Sequence, residues 1–137
     1  MALSSAETGP AIGSSLPARV ETEEIFRSPG PVALFFVSLY CVHCVDLLPH
    51  LREIRESHGI PIVLFSNGDD DDHEEMSKYF AWDIRTVSLD KDAMEEAYEV
   101  TAFPFCIVAD ETRRVAAKSV VYTAEDFAFL LRRGGFL

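Results

Sequence analysis

Cys41-Val42-His43-Cys44 sets two thiols three residues apart with an imidazole between them. These residues follow the apolar run Val32–Val37 and open the amphipathic segment Val45–His58, so they fall at a strand-to-helix turn. There the first cysteine meets the free N–H groups of the helix start, while the second lies one turn in, closer to the sheet. Free N–H groups and the positive end of the helix dipole favour a thiolate over a thiol. A thiolate attacks disulfides, and a second thiol within reach resolves the mixed disulfide that forms. Cys41 is expected to attack and Cys44 to resolve. Two other readings use the same side chains. Cys41, His43, Cys44 and the distant Cys106 are four possible zinc ligands, but the sequence holds no second C-x-x-C or H-x-H pair. A structural disulfide, or two inert core cysteines, is the plainer alternative. Neither a metal nor a cofactor is expected.

The elements that must position this pair are marked by two prolines. Pro104 opens Phe105-Cys106-Ile107-Val108, an apolar run that reads as a buried strand, and proline is tolerated at a strand's first residue. Pro49 falls five residues after Cys44, where proline inside a helix costs about 3 kcal/mol. With these anchors the chain resembles the thioredoxin superfamily, which places a cis-proline opposite the C-x-x-C and a kinking proline in the active-site helix. More narrowly, Leu34–Pro49 is similar to the TlpA/ResA/MauD branch, where F-x-x-S/T-x-x-C-x-x-C-x-x-x-x-P is usual. Phe35, Ser38, Cys41, Cys44 and Pro49 fill that string.

The resemblance implies an α/β thioredoxin-like fold: a mixed central sheet flanked by helices, with an extra strand–helix step between the C-x-x-C helix and the cis-proline strand. It implies a thiol–disulfide oxidoreductase that exchanges Cys41/Cys44 with a protein or peptide substrate and with a redox partner. A histidine at position 43 is shared with oxidising members of the protein disulfide isomerase and DsbA kind, so His43 is expected to stabilise the Cys41 thiolate. Tyr40, Phe103 and Pro104 are expected to line the substrate groove, with a cis Phe103–Pro104 bond. Two departures stand out. Val32–Val37 carries no buried carboxylate to take the Cys44 proton, leaving water or an acid from elsewhere such as Glu99, and Tyr40 replaces the usual tryptophan. Two alternatives are a redox-inert module that binds peptides between Tyr40, His43 and Phe103, and a copper carrier of the same fold, for which C-x-x-C is one residue short.

Spacing fits the extra step. Ile60–Ser66 reads as a strand, and Asp72–Trp82 as a helix with Met76, Tyr79, Phe80 and Trp82 inward. Thr86–Leu89 reads as a short strand and Lys91–Val100 as a helix carrying Met94, Ala97 and Tyr98. A strand, a turn at Asp110-Glu111-Thr112, and a second strand over Val115–Val121 follow Pro104. Thr123 then caps a last helix, with Phe127, Phe129, Leu130 and Leu131 inward and Gly134-Gly135 at its end. Residues 1–15 read as a flexible leader and 16–137 as one thioredoxin-like domain.

At 137 residues and 48% apolar content, the chain can bury about two-thirds of its unfolded surface. A net charge of −11 speaks against nucleic acid, which needs a basic face. The acidic run Asp69–Asp72 with Glu74 and Glu75 lacks the ligand spacing of a calcium loop and suits a helix start. His50, His58 and His73 are expected at the surface, and Cys106 as a small core hydrophobe. No membrane span is expected, because the longest apolar run is far short of about 18 residues. Residues 1–15 lack the basic start and apolar core of a secretory leader. The expected location is therefore the cytoplasm for the sequence as it stands. It lies outside the cytoplasm if the natural chain is longer, as is common in the branch it resembles.

Overall fold

Val32–Val37 carries no polar side chain and forms strand β1, with every residue buried. A strand buried on both faces belongs in the middle of a sheet. In the computed structural model, which describes residues 8–137, β1 pairs in parallel with β2 (Ile62–Ser66) and antiparallel with β4 (Phe105–Ala109). β3 (Arg85–Ser88) adds in parallel outside β2, and β5 (Val115–Val120) antiparallel outside β4. The described residues thus form a mixed five-stranded sheet of order β3-β2-β1-β4-β5. β3 and the helix after it are the expected extra step.

Alternation along β1 divides the core in two. Ala33, Phe35 and Val37 face one layer, with Cys44, Leu47, Leu51, Ile54, Phe127 and Leu131. That layer is supplied by α2 (Val42–Leu47), α3 (Leu51–His58) and α6 (Ala124–Arg133), while Met76 and Phe80 of α4 (Asp70–Phe80) pack against it. Val32, Leu34 and Phe36 face the other layer, where α1 (Val20–Phe26) brings Phe26 and α5 (Lys91–Tyr98) brings Met94 and Tyr98. There Phe36 stacks on Phe65 at 4.8 Å between ring centroids, and Tyr98 closes on both at 5.1 and 5.0 Å.

The amphipathic segment after Cys44 is not one helix. Pro49 has no N–H to give, so a 3-10 turn at Leu48–His50 separates α2 from α3. Helix α1 was not legible: it is seven residues long and buries only Thr22 and Phe26. Of the leader expected over residues 1–15, residues 1–7 lie outside the described residues. The rest runs along the start of β5, where Gly13 N–H donates to the Val115 carbonyl at 2.8 Å and Val115 N–H to the Ser14 carbonyl at 2.9 Å. No helix among the described residues is long and apolar enough to cross a membrane.

Three side chains depart from expectation. Phe129 is 58% exposed, because it sits about 200° around α6 from buried Phe127. Tyr79 is 83% exposed, its ring set edge-on against Phe80 at 5.0 Å. His73 is buried rather than at the surface, one turn before Met76 on α4, and its Nε2 has no hydrogen-bond partner. Burial pushes its imidazole below the ordinary 6.5, against the opposing pull of Asp70, Asp72 and Asp69. The unfolded chain therefore binds this proton more readily. The stability His73 contributes is full above pH 6.5, declines as pH falls through 6.5, and levels off below the lower folded value. The melting temperature of the wild type should fall more than that of His73→Gln between about pH 7.5 and 5.5. Equal slopes in thermal unfolding would contradict this.

Candidate active site

Three parallel strands end at the same edge of the sheet at which antiparallel β4 begins. The loops after β1, β2 and β3 therefore gather around Phe103-Pro104, as sites in open α/β sheets gather at strand carboxyl ends. Ser38–Tyr40 leads from β1 into Cys41, which is the N-cap of α2. Its sulfur accepts the Cys44 N–H at 3.4 Å, one of the N–H groups a helix start leaves without a partner. Cys41 Sγ also lies 3.9 Å from the Phe103 carbonyl oxygen, to which its thiol donates. Pro104 is buried behind that carbonyl, and the Phe103–Pro104 bond is cis.

The two thiols differ in their surroundings. Cys41 is half-buried at the rim, whereas Cys44 is 0% exposed. Burial is the main reason that the Cys44 thiol is pushed up to about 12. The adjacent Cys41 sulfur adds to the rise, and the Ser38 N–H, which donates to Cys44 Sγ at 3.5 Å, opposes it together with the charge of Lys91. An exposed thiol can meet a substrate, and a buried one is kept protonated until needed. Cys106 pairs with Phe35 across β1 and β4 and shares the core layer of Cys44; burial alone pushes its thiol far above the ordinary range.

The remaining candidates are dispersed around this pair. Tyr40 is 92% exposed, with its backbone N–H held by Ser38 Oγ at 3.3 Å. Phe103 is half-buried and packs against both core layers. His43 is exposed on the first turn of α2, its ring edge-on to Tyr122 at 5.2 Å. Glu99 is exposed at the end of α5, a helix of the layer opposite to that of Cys44. Among the described residues no three His, Cys, Asp or Glu side chains are arranged to hold a metal ion. Sequence reasoning missed two residues. Lys91 Nζ stands 5.7 Å from the Phe103 ring centroid, and Asn67, just after β2, hydrogen-bonds to the loop before Cys41. Both reach the site through strand order, which no local pattern encodes.

No family model matches the chain. The methylamine utilization protein MauD of Methylobacillus flagellatus is 27% identical over 99 residues, covering 72% of this chain and 48% of that protein. MauD of Paracoccus denitrificans is 26% identical, covering 93% and 69%. The chain thus spans about half the length of the first relative. Among solved structures, the thioredoxin domain of a thiol-disulfide oxidoreductase from Bacteroides vulgatus superposes with a TM-score of 0.68 at 20% identity, over 90% of this chain and 97% of that one. A thio-disulfide isomerase from Thermus thermophilus gives 0.65 at 21%, over 92% and 98%. The chain has a thioredoxin-like fold and is similar in sequence to MauD. This thioredoxin-like protein shares its fold with proteins named for disulfide chemistry, and these similarities favour neither the redox-inert module nor the metal carrier.

Proposed function

We propose that this protein is a thiol–disulfide oxidoreductase that exchanges the Cys41/Cys44 dithiol with a disulfide in a protein or peptide. The observation that carries the reading is the asymmetry of the pair: a rim thiol at the N-cap of α2, and a buried thiol directly behind it. In the reducing direction the Cys41 thiolate attacks one substrate sulfur and the other leaves as a thiolate. Cys44 then loses its proton and attacks Cys41, forming the Cys41–Cys44 bond and releasing the second substrate thiolate. Two electrons pass to the substrate, and its two thiolates take up two protons. The oxidising direction runs the same steps backwards and needs a partner that re-forms the disulfide. Tyr40, Phe103 and Pro104 border Cys41 and form the surface on which an extended substrate segment lies.

A symmetric peptide disulfide tests this. The reduced protein should release two peptide thiols for each Cys41–Cys44 disulfide formed, as counted by mass spectrometry. No protein disulfide and no released peptide would reject the reading.

His43 acts as a tuning residue in the same scheme. An imidazole on the first turn of α2 adds positive character near the Cys41 thiolate, and a stabilised reduced form makes a stronger oxidant. His43→Ala should slow alkylation of Cys41 at neutral pH and lower the reduction potential by roughly 30 mV for each tenfold lost in the equilibrium constant. Equal potentials and equal alkylation rates in the two proteins would leave His43 with only its Tyr122 contact.

A further inference from the structure

The turn that carries Cys41 is fastened to its neighbours by side chains. Asn67 accepts the Leu39 N–H on Oδ1 at 2.8 Å and donates from Nδ2 to Ser38 Oγ at 3.4 Å. The same hydroxyl oxygen accepts the Tyr40 N–H at 3.3 Å, and Ser38 itself is buried. Gly68 lies so close behind that a Cβ there would stand 2.7 Å from Leu39 Cδ1 and 3.0 Å from Asp72 Cβ. Its N–H donates to Ser66 Oγ at 3.0 Å, and its carbonyl accepts from Ser88 Oγ at 2.5 Å at the end of β3. The loops after β1 and β2 and the last residue of β3 are thus joined, and Ser88 of the extra step braces, through Gly68, the loop that holds the thiols.

What this brace aims is the backbone of Ser38. The Ser38 carbonyl accepts the Cys41 N–H at 3.1 Å, and the Ser38 N–H donates to Cys44 Sγ at 3.5 Å. β1 offers no carboxylate to draw the Cys44 proton away. A donor held on the sulfur favours its charged form, and the bond strengthens as the charge develops. Resting on the exchange reading above, we propose that Asn67 is a positioning residue for the resolving step, holding the Ser38–Tyr40 turn so that the Ser38 N–H stays on Cys44 Sγ. In that step Cys44 gives its proton to water and attacks Cys41. The Cys41–Cys44 bond forms, the Cys41–substrate bond breaks, and the substrate leaves as a thiolate that takes a proton from water.

Single-turnover reaction of the reduced protein with a symmetric peptide disulfide, quenched in acid and weighed by mass spectrometry, separates attack (mixed disulfide formed) from resolution (mixed disulfide lost). Asn67→Ala should slow resolution about tenfold at neutral pH, more than it slows attack, and move the pH profile of resolution upward. Ser38→Ala, which removes the hydroxyl that Asn67 holds, should slow the same step. The double variant should add little to either single one, and Ser38→Thr should stay near wild type. A purely structural role would lower the melting temperature and leave the pH profile in place. If the wild type exchanges normally while Asn67→Ala and Ser38→Ala both resolve at the wild-type rate and pH, the positioning role is wrong and the exchange reading stands. If the wild type never forms a mixed disulfide, both fall together.

Discussion

Cys44→Ala should accumulate covalent complexes with disulfide substrates through Cys41, while Cys41→Ala should form none and lose its exchange activity by at least about a thousandfold. A thiol pushed up to about 12 carries, at neutral pH, roughly 10³-fold less thiolate than an ordinary thiol of about 8.5. Cys44 alone therefore cannot open a substrate disulfide, and it is fully buried as well. Its turn comes after Cys41 has bonded to substrate. Part of what raises it, the hydrogen bond to the Cys41 sulfur and that sulfur's negative charge, is then gone, although the larger effect of burial stays. Resolution should accordingly quicken with rising pH, whereas capture should not share that profile. Non-reducing electrophoresis of each variant with a disulfide-bonded protein reads the result. Complexes that form on Cys41→Ala, or equal alkylation of both thiols in the native reduced protein, would reverse the assignment.

The second large effect concerns the fold that holds the pair. Phe36→Ala should destabilise the protein by about 3–5 kcal/mol, a large share of the roughly 5–15 kcal/mol typical of a whole domain. Phe36 is fully buried on the central strand and touches the rings of Phe65 and Tyr98. Its removal leaves a cavity between the sheet and α5, against Phe65 and Tyr98. For a chain of this length such a loss lowers the melting temperature by about 10–15 °C. Phe129→Ala offers the contrast. Its exposed ring should cost less than about 0.5 kcal/mol. Chemical denaturation of the two variants would contradict the packing described if their losses were similar.

The legible and illegible parts of the sequence divide along a physical line. β1 could be read from Val32–Val37 because a strand buried on both faces leaves an unbroken apolar run, and α5 from the spacing of Met94 and Tyr98. The approach of Phe103-Pro104 to Cys41 was reached through family resemblance, since nothing local to either segment says that they meet. His73 was hidden by its neighbours. Acidic residues on either side made α4 look solvated there, although His73, Met76 and Phe80 are spaced as one helical stripe. Phe129 failed for the opposite reason: its type suggested the core while its angle on α6 put it outside. Asn67 and Lys91 lie at the site because β2 and β3 run parallel to β1 and end beside it. That fact belongs to topology and is not written in any one segment.

The most direct test of dithiol exchange is equilibration of the purified protein with mixtures of reduced and oxidised glutathione, followed by acid quenching and mass measurement. Exchange predicts a single two-electron transition in which a Cys41–Cys44 disulfide replaces both free thiols while Cys106 stays reduced. Its midpoint should fall between about −270 mV, as in thioredoxin, and about −120 mV, as in DsbA. A protein in which Cys41 and Cys44 never join at any glutathione ratio, or in which each is only glutathionylated separately, would contradict it.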